Sequence, residues 1–159
     1  MDHGLLSIEE AIKLALEQLD ASFSPTVAAI YRNWYQALAI KHKMQDFARS
    51  CKERGYQVYI LSNTSEVYYT LEQEGYLPIR EVLDGRVLSF EEKVMKPDQK
   101  LYQILLDRYQ LSPKRAIFLD DISENLKAAE DLGFHTLQVS DEETAIKELG
   151  KYLERFGKF

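Results

Sequence analysis

From Tyr56 onward, short β-rich runs alternate with amphipathic helical segments, and no other feature of the sequence restricts its fold as much. The run "YQVYIL" is followed by a helical stretch carrying Val67, Tyr68 and Leu71 that stops near Gly75. A weaker strand lies around Glu81 to Leu88, and a helix spans about Asp98 to Tyr109. The strand "AIFL" then leads into a helix ending at Gly133, the strand "HTLQV", and a last helix whose capping pair is Ser140 and Glu143. Strands separated by helices imply parallel pairing through right-handed crossovers. The expected class is α/β, a layered parallel sheet with flanking helices.

The first forty residues show only helical texture. Ser7 and Glu10 form a capping box ahead of Ile8, Ile12, Leu16 and Leu19, which share one helical face. Ser24 and Pro25 read as cap and first helical residue of a second helix, with Val27, Ile30, Tyr31, Trp34 and Leu38 on one stripe. On that spacing Trp34 and Tyr35 are core residues rather than the lining of a substrate entrance. A third helix, near Met44 to Arg54, presents Met44, Phe47, Ala48 and Cys51, and Gly55 supplies a left-handed stop. The chain thus predicts a small helical lobe joined to the α/β body near residues 43 to 55.

Bulk properties narrow the partners. A chain of 159 residues predicts one domain with one core. The formal net charge of −6 and the lack of a basic stripe argue against nucleic acid, and Lys41, His42 and Lys43 read as a solvated helix end. Cys51 is the only cysteine, so no internal disulfide forms, which points to a reducing, cytoplasmic setting. No apolar run approaches the roughly 20 residues that span a bilayer. The three histidines, His3, His42 and His135, have no metal-ligand spacing.

In a parallel sheet, ligands bind outside the carboxyl ends of the strands. Three polar clusters fall at or near such ends: "LSNTS", "MKPD" and "LDD". Ser62 and Asn63 offer a hydroxyl, an amide and backbone N–H groups suited to anionic oxygens. Lys96 adds a compact positive charge. Asp120 and Asp121 are hard oxygen ligands of the kind Mg²⁺ uses, and two adjacent carboxylates repel unless a cation lies between them. Each cluster alone has a plainer reading: "SNTS" as a helix cap, Lys96 as a surface lysine, an aspartate capping the next helix. Together they describe a phosphoryl site.

In their order, "VYILSNTS", "VMKPDQKLY" and "AIFLDDISENLKAAEDLG" resemble the second, third and fourth motifs of the haloacid dehalogenase-like (HAD) hydrolases. A phosphoacceptor receiver domain uses similar groups, but there the acid pair comes first and the lysine last. The resemblance implies a Rossmann-like HAD core at 44–159 and a partial helical cap of the phosphatase-like type at 1–43. It further implies that Ser62 binds the transferring phosphoryl group with help from the Asn63 region. Lys96 neutralises charge, Asp121 is the principal Mg²⁺ ligand with Asp120 assisting, and Asn125 supports the metal shell. The expected substrate is a small phosphorylated metabolite.

The family's first motif, a strand ending in Asp-x-Asp whose first carboxylate is the nucleophile, is absent from these 159 residues. Upstream of "YILSNTS" no strand-like run exists. The core is therefore expected to be incomplete at its N-terminal side, lacking a strand between those ending at Leu61 and Leu119. Either the sheet rearranges to close the gap, or another segment, a second chain or a second copy fills it. Without the nucleophile the chain is expected to be inactive. The competing reading is a non-catalytic module that binds a phosphorylated ligand or a protein partner.

Overall fold

Each β-rich run supplies one four-residue strand: β1 (Tyr59–Ser62), β2 (Gly85–Leu88), β3 (Ile117–Asp120) and β4 (His135–Gln138). The computed structural model describes residues 1–77 and 79–156. Eight α-helices accompany the strands among these residues: α1 (Ile8–Leu16), α2 (Ser24–Asn33), α3 (His42–Glu53), α4 (Val67–Gln73), α5 (Ser89–Glu92), α6 (Gln99–Tyr109), α7 (Ser123–Asp131) and α8 (Glu142–Phe156).

All pairing is parallel, as the alternation predicts. β1 pairs with β2, placing Leu61 opposite Val87 and Ser62 opposite Leu88. β3 pairs with β4, placing Leu119 opposite Leu137 and Asp120 opposite Gln138. Among the described residues these remain two separate two-stranded sheets, so β1 and β3 do not close directly on each other. The outer edge of β2 is covered differently. The Tyr109 hydroxyl accepts from the Arg86 N–H at 2.9 Å and donates to the Arg86 C=O at 3.0 Å. Gly85 makes room for that ring, since a Cβ there would sit 2.1 Å from it.

The apolar side chains collect in two clusters rather than the one core expected from length. Leu61, Val87, Phe118, Leu126, Ala129 and Phe134 pack with Leu101, Tyr102 and Leu105 of α6. Cys51, Leu149 and Leu153, from α3 and α8, pack with Val58, Ile117, Leu119 and Leu137. Phe118 and its neighbours Ile117 and Leu119 thus face opposite ways, as the two-residue period of a strand requires. Cys51 is buried as expected, and desolvation pushes its thiol pKa up against a small opposing effect of Arg54.

The helical lobe differs in detail from the sequence reading. Ser7 and Glu10 form their capping box, but α1 stops at Leu16 and leaves Leu19 exposed. Phe23, not Ser24, precedes α2, and Ser24 makes no capping bond. α2 gives way after Asn33 to a tighter 3-10 turn, Trp34–Ala37. That turn rotates successive side chains by more than an α-helix does, so Tyr35 is buried while Trp34 and Leu38 are exposed; Ile30, within α2, is exposed as well. Likewise Asp141, not Ser140, caps α8, its carboxylate accepting from the Thr144 N–H at 2.8 Å.

Carboxylates anchor the lobe to the body. Glu66 accepts from the Ile8 N–H at 2.8 Å, and Glu74 accepts from the Tyr35 hydroxyl at 2.9 Å, so both ends of α4 are gripped. At the start of α3, Glu142 accepts from the Met44 N–H at 2.6 Å and Glu143 pairs with Lys43. Phe118→Ala is expected to cost about 3–5 kcal/mol. Trp34→Ala, at an exposed site, should cost under about 1 kcal/mol. Urea unfolding of the two variants checks the ordering.

Candidate functional site

β1 and β3 both end in polar residues, and the side chain that connects them is Lys96. Its ammonium donates to the Leu61 C=O at 3.0 Å and to Asp120 Oδ2 at 2.6 Å, and lies 5.2 Å from the centre of the Phe118 ring. The side chains of Lys96 and Asp120 are only 9% and 6% exposed, which makes this a buried ion pair rather than a surface one. An ammonium carries three donors, and two are spent here among the described residues.

Asn63 fixes the backbone of Lys96. Its side-chain oxygen accepts from the Lys96 N–H at 2.8 Å, and its side-chain nitrogen donates to the Lys96 C=O at 2.9 Å. Both ends of the amide are therefore used on one residue. The Asn63 side chain thereby orients the lysine.

Asp120 is held from three sides. Besides Lys96, it receives the Asn125 side-chain amide at 3.0 Å and the Ile122 N–H at 2.9 Å, both on Oδ1. Burial by itself would raise its pKa, but the bonds from Lys96, Asn125 and Ile122, with the charge of Lys96, outweigh it and hold the carboxyl below its ordinary value. Asn125 is buried, and its C=O accepts from the Tyr102 hydroxyl at 2.7 Å. Burial, with Asp120 nearby, pushes the Tyr102 phenol well above its usual pKa.

Asp121 differs from Asp120 in its surroundings. It is exposed, and among the described residues its carboxylate has no hydrogen-bond or ion-pair partner. It lines a cleft of about 420 Å³ with Asp120, Leu119, Val139 and Ser140 on one wall and Lys41 and Met44 on the other. Ser62 is half-buried at the end of β1, and its hydroxyl makes only a 3.5 Å contact to the Asn63 C=O, which leaves it available. The backbone N–H of Thr64 is taken, donating to the Ser89 hydroxyl at 2.9 Å.

For a metal ion these donors supply one uncommitted carboxylate, Asp121, beside a second whose oxygens are already hydrogen-bonded. No group of three or more His, Cys, Asp or Glu side chains gathers among the described residues. The set suits Mg²⁺, which commonly takes one or two carboxylates and fills its remaining positions with water and substrate oxygens. It would not suit a metal that needs a complete protein cage.

The sequence reading missed Ser89, Tyr102 and the Leu61 carbonyl. Ser89 carried a usable signal, being a polar residue directly after an apolar strand, as Ser62 is. Tyr102 carried none, since an aromatic on a helical stripe reads as packing.

The model of the haloacid dehalogenase-like hydrolases matches residues 6–133. The chain belongs to that family. It is 41% identical over 99 residues to mouse acyl-CoA dehydrogenase family member 10, covering 62% of this chain and 9% of that protein. It is 29% identical over 124 residues to a sesquiterpene phosphatase of Aspergillus oryzae, covering 77% of this chain and 62% of the fungal one. The chain therefore spans less than two thirds of either relative. Its fold is shared with a HAD family enzyme of Bacteroides thetaiotaomicron solved with magnesium and inorganic phosphate, at a TM-score of 0.73 and 24% identity, over 86% of this chain and 71% of that one.

The fold places Lys96 and Asp120 in one buried ion pair, which makes its energetics testable. Because the folded-state pKa of Asp120 lies below its unfolded value, its ionisation stabilises the fold above the unfolded pKa of about 4. That contribution is lost as pH falls through the lower folded value. Lys96→Met strands the carboxylate and is expected to cost about 3–5 kcal/mol at pH 7. The deficit should shrink at pH 5, where the unpaired Asp120 can take up a proton. Urea unfolding of both proteins at the two pH values measures it, and an equal deficit at both would contradict the pairing.

Proposed function

We propose that this chain is a phosphatase-like HAD module that binds the phosphoryl group of a small phosphorylated metabolite at Ser62 and Lys96, with Mg²⁺ held by Asp121. The observation that carries the reading is the unspent third N–H of the buried Lys96 ammonium, at strand ends where the Ser62 hydroxyl is also uncommitted. Bound Mg²⁺ would supply neutralisation of phosphoryl charge. Asp120 would contribute to that metal directly or through water, and Asn125 would hold Asp120 in place. The fungal relative is a phosphatase by name and the bacterial neighbour was solved with magnesium and phosphate, which supports the reading by family.

Binding and turnover separate in this proposal. The sequence holds no Asp-x-Asp, so none of its residues matches the nucleophile of the family. Inorganic phosphate is expected to bind in the presence of Mg²⁺, with binding lost in Lys96→Ala and the Mg²⁺ dissociation constant raised at least tenfold in Asp121→Ala. Titration calorimetry reads both, and phosphate binding that persists in Lys96→Ala would overturn the site.

For hydrolysis, the 159-residue chain is expected to release no p-nitrophenol from p-nitrophenyl phosphate above a Lys96→Ala control. Mg²⁺-dependent turnover that disappears in Asp121→Ala would reveal a nucleophile outside the family pattern. The second reading, a phosphate-binding or interaction module, is favoured by the same missing motif.

A further inference from the structure

Ser89 has no exposed surface, yet it is polar and lies outside every motif that defines the family resemblance. It begins α5 immediately after Leu88, the β2 residue paired with Ser62. Its oxygen accepts from the Thr64 N–H at 2.9 Å and stands 2.5 Å from the Asp2 C=O and 3.1 Å from the Thr64 C=O. A hydroxyl has a single proton to donate, so only one of the two carbonyls can receive it at a time.

Residues 1–8 meet the same region at two further points. The Ile8 N–H donates to Glu66, at the other end of the loop that carries Ser62, Asn63 and Thr64. Gly4, at a φ of +65°, passes so close to Phe90 that a Cβ would lie 2.0 Å from the Phe90 carbonyl oxygen. Only glycine meets both the backbone angle and the space.

We infer that Ser89 is a positioning residue that sets the conformation of the Ser62–Thr64 loop and ties it to the seating of residues 1–8. With Asp2 in place, the proton goes to the nearer Asp2 carbonyl, and the hydroxyl oxygen holds the Thr64 N–H. With Asp2 withdrawn, the proton turns to the Thr64 C=O, and one hydroxyl then draws on both polar groups of the same residue. The two arrangements differ in which carbonyl accepts the hydroxyl proton, so the hold on the Thr64 C=O depends on whether Asp2 is seated. Since Asn63 in that loop clamps Lys96, the seating of residues 1–8 reaches the ammonium through two side chains. The inference rests on the phosphoryl reading of Ser62 and Lys96 for its functional consequence, but not for the coupling itself.

Amide hydrogen exchange followed by NMR, together with titration of inorganic phosphate in Mg²⁺, tests it on the full chain. Ser89→Ala should accelerate exchange at Thr64 at least tenfold beyond any change at Leu61, and weaken phosphate binding about fivefold. Gly4→Ala, which unseats residues 1–8 with Ser89 intact, should do the same. Val87→Ala, which destabilises the same strand by cavity formation, should do neither. Uniform acceleration across β1 in Ser89→Ala, or an unchanged phosphate affinity beside wild-type binding, overturns the assignment. If the wild-type chain binds no phosphate, the phosphoryl reading falls and Thr64 decides alone: acceleration confined to the loop keeps Ser89 as its positioning residue, and uniform acceleration removes it.

Discussion

Lys96 places an ammonium where little water reaches it, and much of the local structure follows from how that charge is compensated. Desolvating an ion pair costs several kcal/mol per ion unless geometry and further hydrogen bonds recover it. Here the recovery is distributed: Asp120 accepts one N–H, the Leu61 carbonyl accepts another, and the Phe118 ring lies beneath the charge. Asn63 and Asn125 then spend their amides on holding the two charged residues rather than on any ligand. The consequence is mechanical as well as electrostatic. β1 and β3 share no ladder, so one lysine side chain makes the polar join between sheets that backbone bonds would otherwise make.

The helical lobe depends on charge in another way. Its attachment uses Glu66, Glu74, Glu142 and Glu143, mostly at helix ends and near the surface. Interactions of that kind are screened by salt far more than the buried pair is. The molecule therefore joins a body held by apolar packing and a desolvated pair to a lobe whose carboxylate contacts with it lie mostly near the surface. The apolar surface of α2 and the following turn, at Ile30, Trp34 and Leu38, remains outside both.

How much of this was legible in the sequence follows from particular residues. The four strands could be read because β-branched and aromatic runs were bounded by turn residues and helical stripes. That Lys96 and the acid pair lie at neighbouring strand ends could be anticipated from the order of the clusters, but the direct pairing of Lys96 with Asp120 could not, since the sequence reading gave the acids a metal ion instead. What Asn63 does could not, because an amide beside a hydroxyl at a strand end suits a ligand and a neighbouring peptide equally well. Nor could the contrast between Asp120 and Asp121 be read. Both acids line one cleft, and only the structure shows that Asp120 is buried against Lys96 while Asp121 stays exposed. The lobe misled for a local reason, since a 3-10 turn after Asn33 breaks the 3.6-residue period on which Trp34 and Leu38 were assigned to the core.

The hydroxyl of Tyr109 on the outer edge of β2 bears on how the chain behaves in a crowded solution. A strand edge normally offers alternating donors and acceptors on which another chain can nucleate. At Arg86 both groups are already satisfied by one phenol, and Gly85 lets the ring lie flush against the backbone. A side chain at Gly85 would lift that ring and expose the edge without touching the buried ion pair. Its damage would appear as intermolecular β-pairing and loss of soluble protein, while the molecules that remained monomeric kept their site.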